Sequence, residues 1–213
     1  MEIDKNEVLR YLGYRGKPAD AETLERIDRC IALLEENTSP RSLSRVFPVT
    51  LEPGAVVIGG VTIKSRDLRS HIDGCREAAV FAATLGAQAD LLLRRYSKTD
   101  MSRAVILQAC AATMIERYCD ECNDVLAQES QKRGLYLRPR YSPGYGDFSI
   151  THQTDLLGML DCQKKIGLTV TDSFMLAPSK SVTAVIGLTT EEKSCHIAKC
   201  MECKAVNCPF RKD

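Results

Sequence analysis

Near the N-terminus, apolar positions recur at helical spacing. Asp4 can cap a helix carrying Val8, Leu9 and Leu12 that ends near Gly13. Leu24, Ile27, Ile31 and Leu34 mark a second helix over Ala21–Glu36, closed by Thr38-Ser39-Pro40. The period then changes. Val46–Lys64 alternates and is rich in β-branched residues. Gly59-Gly60 sits between Val56-Val57-Ile58 and Val61-Thr62-Ile63, which is the pattern of a β-hairpin. Asp67–Gly74 reads as a short helix.

Ala78–Leu85 is a run of small apolar residues that fits a buried strand or a helix, and Gly86 at its end favours the strand. Helical spacing resumes over Ala87–Ser97. Asp100 then caps the longest helix, predicted to reach about Gln131 with a buried stripe of Ala104, Leu107, Ala111, Met114 and Ile115. Residues 135–142 read as extended. Thr154–Ile166 is predicted as one helix, with Leu156, Leu157, Leu160 and Ile166 facing inward. Thr169–Phe174 and Thr183–Leu188 are predicted strands around an Ala177-Pro178-Ser179 turn. Strands and helices mix without a regular βαβ repeat. The expected class is therefore α+β, a twisted antiparallel sheet with helices.

Composition narrows the function classes. The 213 residues are 44% hydrophobic and 27% charged, with a formal net charge of +1. That balance gives no electrostatic case for a nucleic acid or an anionic membrane as partner. No apolar run approaches the roughly 20 residues that span a bilayer. Met1-Glu2-Ile3-Asp4-Lys5 lacks a signal-peptide core, so a cytoplasmic protein is expected. The ten cysteines are many for such a protein. In a reducing compartment they are not expected to pair.

The chemistry concentrates in Arg140-Tyr141-Ser142-Pro143-Gly144-Tyr145. Arg140 offers a fixed fork of donors that suits a carboxylate. Pro143-Gly144 makes a tight turn, and glycine permits close approach of a ligand. Tyr145 adds a flat face and a hydroxyl. Taken alone, such a short motif is more often a surface turn with a surface ion pair. The block Thr171-Asp172-Ser173-Phe174-Met175-Leu176-Ala177-Pro178-Ser179-Lys180-Ser181-Val182 follows one helix downstream. Its Phe174 and Met175 read first as core residues and Ser181 as satisfying its own turn, so the block is taken as scaffold.

Together the two blocks resemble the reactivation domain of cobalamin-dependent methionine synthase. The resemblance is strongest over residues 135–188. It continues through Glu7–Tyr14 and Ala82–Gly86, and it is judged to end before the last 25 or so residues. It implies a methionine synthase activation-like domain over residues 1–190 that binds S-adenosylmethionine. It also implies presentation of that ligand to a cobalamin held elsewhere, on a corrinoid-binding methionine synthase or methyltransferase subunit. One electron and the methyl group then restore methylcobalamin from the oxidised cofactor. By the resemblance Arg140, Ser142, Gly144 and Tyr145 contact S-adenosylmethionine, and Glu116 on the long helix is the candidate acidic contact, with a solvated helix face as the competing reading. After Tyr145 the chain departs from the family's usual Pro-Ala-Cys-Pro and carries Gly146-Asp147-Phe148-Ser149.

The second signal is independent of the family. Cys195, Cys200, Cys203 and Cys208 fall within residues 191–213, in a polar, lysine-bearing tail. Four thiols so close read as one four-ligand metal site. Zinc accepts four cysteines, and so does an iron–sulfur cluster. The spacing fits neither common zinc-ribbon pattern and leans toward a 4Fe–4S cluster, which could relay an electron from a low-potential donor. Cys119 and Cys122 on the long helix read as core or partly buried thiols. Two other readings stay open: a non-catalytic S-adenosylmethionine-sensing or corrinoid-protein-binding module with a zinc tail, and an electron-transfer adaptor that has lost the ligand.

Overall fold

The computed structural model describes residues 1–14 and 18–191. Helix α1 (Lys5–Tyr11) is capped by Asp4, whose side chain accepts from Asn6 N. Helix α2 (Ala21–Asn37) is capped by Asp20 through Thr23 N. Strands β1 (Arg41–Glu52), β2 (Ala55–Ile58) and β3 (Val61–Ile63) form a meander. Gly59 and Gly60, with φ of 56° and 88°, make its second turn. Both signs suit the two-residue hairpin turns that match strand twist.

Helix α3 (Arg66–His71) leads into β4 (Glu77–Thr84). Helix α4 (Ala87–Thr99) and helix α5 (Met101–Gln131) follow. Asp100 caps α5 by accepting from Arg103 N. Beyond α5 come β5 (Tyr136–Leu137), a 3-10 turn at Ile150–His152, α6 (Gln153–Leu160), α7 (Cys162–Ile166), β6 (Thr169–Val170), β7 (Leu176–Ala177) and β8 (Ser181–Thr189). The main sheet runs β3-β2-β1-β4-β8-β5 and is antiparallel throughout; β6 and β7 pair separately.

Strand β4 explains its own sequence. Ala79, Phe81 and Ala83 face one core, shared with α1, α2, α4 and α5. Ala78, Val80 and Ala82 face a second core, shared with β2, β3, α3, α6 and α7. A strand covered on both faces needs apolar residues at every position, so period-two alternation disappears.

Three expectations change. Strand β1 starts at Arg41, five residues before the predicted start, and pairs with β4 from Arg41↔Thr84 to Pro48↔Glu77. Its Ser42, Ser44 and Arg45 hid the strand because pairing, not apolar alternation, holds it there. The predicted helix Thr154–Ile166 is broken at Asp161, which is left-handed at φ 56° and ψ 43°. Asp tolerates that region, and the break returns Cys162 and Ile166 to the second core. The strand expected over Thr169–Phe174 shortens to Thr169–Val170, and Phe174 has φ of 59°. Among the described residues no helix is long and apolar enough to cross a membrane.

Candidate functional site

After β5 the chain stays on the edge of β8. Arg138 N donates to Gly187 O at 2.8 Å, and Tyr141 and Val185 exchange two backbone bonds of 2.9 Å. Tyr141 turns into the second core, stacked on His71 at 4.8 Å between ring centroids and parallel to Phe148 at 6.2 Å. Arg138 is buried and packs across Gly187 beside Cys75. Arg140 turns the other way, toward α5. Its Nη2 lies 2.8 Å from Asp120 Oδ1 and 3.3 Å from Glu116 Oε2.

Glu116 and Asp120 are four residues apart on one helix and so present both carboxylates on one face. The Arg140 side chain is only 20% exposed. Burial works against its charge, but Asp120 and Glu116 outweigh that and hold the guanidinium pKa above its ordinary value.

The turn beyond Ser142 is pinned from beneath. Tyr145 N donates to Ser142 O, Phe148 N to Tyr145 O and Gly144 N to Phe148 O. The Asp147 carboxylate accepts from Ser65 Oγ at 2.5 Å, Arg66 N at 2.9 Å and Asp67 N at 3.1 Å. In return Asp147 N donates to Asp67 Oδ2 at 3.1 Å. These donors, Ser65 first, pull the Asp147 carboxyl below the usual carboxylate range. Gly146 has φ of 52°, and a Cβ there would sit 2.1 Å from Asp67 Oδ2. Gly146-Asp147, the point of departure from the family pattern, is therefore a clip between the turn and the start of α3.

A cleft of about 280 Å³ opens above Arg140. Helix α5 contributes Glu116, Asp120 and Asn123, the turn contributes Ser142 and Tyr145, and β8 contributes Val182. The volume lies near the lower end of the range for small-molecule sites, about 300–1,000 Å³. Asn123 Oδ1 is buried with no hydrogen-bond donor among the described residues. Tyr145 is 59% exposed at the mouth and edge-on to Tyr141 at 6.0 Å.

A larger hollow of about 360 Å³ lies between α2 and α5, over Cys30. Its arginines are each paired locally: Arg26 with Glu22 at 2.6 Å, Arg29 with Glu25 at 2.5 Å and Arg103 with Asp100 at 3.7 Å. Such local helix pairs form without a ligand's help and cancel one another's charge.

The structure thus brings Arg140, Ser142, Tyr145 and Glu116 together in one cleft. Gly144 is exposed, is not one of the cleft walls and serves the turn with φ of 97°. Met175, first read as core, is 58% exposed beside the short β6–β7 pair. The scaffold is tied instead by Ser179, whose N and Oγ donate to Asp90 at 2.8 and 2.6 Å. Ser181 Oγ lies 2.7 Å from Pro178 O. Cys119 is buried and Cys122 half-buried, 3.2 Å from Ser42 Oγ.

Sequence reasoning missed Asp120 and Asn123. The first stands one helical turn beyond Glu116 and was within reach of that periodicity; the second carries no signal without its neighbours. Cys195, Cys200, Cys203 and Cys208 lie outside the described residues. Among the described residues, no three His, Cys, Asp or Glu side chains gather as a metal-holding group.

The family model for the activation domain of vitamin B12-dependent methionine synthase matches residues 70–212. The chain belongs to this family. The match runs through the cysteine tail, so the resemblance does not stop short of the last 25 or so residues as judged from motifs, and it starts after the Glu7–Tyr14 segment. A solved structure described as the MetH reactivation domain bound to AdoHcy superposes with a TM-score of 0.66 at 16% identity. The superposition covers 90% of this chain and 75% of that one, and it shows that the activation-domain fold is shared. A comparison with curated protein sequences returns no match.

Proposed function

We propose that this activation domain binds S-adenosylmethionine in the Arg140 cleft. It would present that ligand to a cobalamin carried by a separate corrinoid-binding methionine synthase or methyltransferase subunit and so support reductive reactivation of the cofactor. Family membership supports the reaction class. One observation carries the site: an arginine with a rigid donor fork, mostly buried, faces a cleft whose other polar walls are Glu116, Asp120 and Asn123. An amino acid needs that pairing, donors for its carboxylate and acceptors for its ammonium group. The structural neighbour's bound AdoHcy carries the same two groups.

When bound, the corrinoid supplies the nucleophilic metal and S-adenosylmethionine the methyl group, while a low-potential donor outside this fold supplies the electron. The tasks left to the chain are binding, orientation and exclusion of water. Arg140 holds the ligand carboxylate through guanidinium nitrogens, since both acid contacts fall on Nη2. Glu116 and Asn123 accept from the ammonium group. Ser142 and Tyr145 line the open side, where a partner would dock. In this reading the chain acts in the cytoplasm, residues 1–190 form the binding domain, and residues 191–213 hold a 4Fe–4S cluster or zinc through Cys195, Cys200, Cys203 and Cys208.

Calorimetry with S-adenosylmethionine tests the site. Saturable binding is expected, and Arg140→Ala should weaken it by about 1.5–3 kcal/mol, roughly tenfold or more, the range for a charge-assisted hydrogen bond. Equal affinities would remove Arg140 from the site. No binding by the wild type would defeat the proposal.

A further inference from the structure

The cleft holds one cation and two carboxylates: Arg140, with Glu116 and Asp120 both within 3.3 Å of its Nη2. A single surface ion pair would need only one acid. The second leaves the cleft with a surplus negative charge, and Asn123 Oδ1 adds a buried acceptor without a donor among the described residues. Resting on the reading that this cleft takes S-adenosylmethionine, we propose that Asp120 is a specificity-determining residue. With Glu116, its charge makes the cleft select the positively charged sulfonium ligand over the neutral thioether product.

S-adenosylmethionine carries a carboxylate, an ammonium and a sulfonium. Arg140 takes the carboxylate, and the two acids then face two cations. In S-adenosylhomocysteine the ammonium group remains but the sulfonium has become a thioether. One cleft carboxylate is left without a counter-charge. Methyl transfer itself would make this change: the carbon–sulfur bond breaks with its electron pair staying on sulfur, and the methyl goes as a cation equivalent to the reduced corrinoid metal of the partner, which would supply the electron pair of the new metal–carbon bond. The same surplus charge that attracts the methyl donor therefore loosens its product and clears the cleft. Both acid side chains are more than half exposed, 51% for Glu116 and 57% for Asp120, so solvent screens the effect and keeps it moderate.

The test compares a ratio. Calorimetric affinities for S-adenosylmethionine and S-adenosylhomocysteine are measured on wild type, Asp120→Asn and Glu116→Gln. The two ligands share carboxylate, ammonium and adenosine, so any effect of a variant on Arg140 cancels in the ratio. Wild type should prefer the sulfonium. Asp120→Asn, nearly isosteric and on an exposed helix face, should reduce that preference by about fivefold, ~1 kcal/mol at 1.4 kcal/mol per decade. Added salt should shrink the wild-type preference and leave that of the variant nearly unchanged. If wild type binds both ligands and the ratio in both variants equals that of wild type, the charge proposal falls while the site stands. If only Glu116→Gln moves the ratio, Asp120 is merely a support for Arg140. If wild type binds neither ligand, the reading of the cleft fails and the proposal fails with it.

Discussion

Arg140 shows why residue type matters more than charge. A lysine at this position would offer a single ammonium point, which the two acids of α5 would occupy. The planar fork of arginine meets both acids through Nη2 and has further donors in a fixed plane. Directly behind it, Cys119 is fully buried, and desolvation pushes its thiol up to about 12 despite the nearby Arg140 charge. Cys110 is likewise pushed to about 12 and Cys162 to about 11, both chiefly by burial. Thiolate is the reactive form. Brief alkylation of native protein near pH 8, read by peptide mass spectrometry, should therefore label half-buried Cys122 well ahead of Cys119, Cys110 and Cys162. Labelling of Cys119 at the rate of Cys122 would show that the contact between α5 and the sheet opens readily, against the packing described.

At the scale of elements, the Asp147 clip decides where Tyr145 stands. Within the turn, residues 142–149, only Pro143 and Phe148 are buried. Its position depends on three donors at the entry to α3. Because these donors lower the folded pKa of Asp147, the unfolded chain takes up its proton at a higher pH than the folded one does. The clip's contribution to stability is thus complete above the ordinary aspartate value of about 3.9. It disappears as pH falls through the lowered folded value. The melting temperature of wild type minus that of Asp147→Asn should be positive and flat from about pH 7 to pH 5, then shrink below about pH 4. A difference that persists unchanged into that acid range would mean the carboxylate charge is not what anchors the turn.

Taken together, the described residues form a sheet covered on both faces, with two separate cores meeting at β4 and β8. The cleft lies at the sheet's β5 edge, between the chain crossing β8 and the outer face of α5. It is thereby reachable by a partner protein without opening either core. The cysteine tail follows β8 in the chain, and both cores and the cleft walls of the described residues lie upstream of residue 192. Cys203→Ala should accordingly abolish any metal bound by the tail while leaving the melting of the domain essentially unchanged. An iron–sulfur centre would show as brown anaerobic protein with iron and sulfide in equal amounts; zinc would show as a colourless protein with one zinc per chain. Metal-free tail thiols in freshly isolated anaerobic protein would end the metal-centre reading.

The features legible from the amino-acid order alone are mostly local. Asp4 and Asp100 each mark a helix start because a carboxylate can cap free backbone amides two or three residues on, and both helices begin where they indicate. Gly59-Gly60 marks a turn because two successive positive φ values exclude most other residues. The Arg140–Tyr145 motif carried little weight by its residue types alone and stood out only through the family resemblance it shares with the Thr171–Val182 block. The opening residues of β1 were illegible, since Ser42, Ser44 and Arg45 are held as a strand by pairing with β4 rather than by any period of their own. The break at Asp161 was also hidden, because one left-handed residue leaves the apolar spacing on either side intact. It takes tertiary packing to place Asp120 and Asn123 in the cleft with Arg140, Asp120 from a position 20 residues earlier in the chain. Helical period places them on α5, but which face of α5 meets the edge of β8 is settled by how both cores close around the sheet.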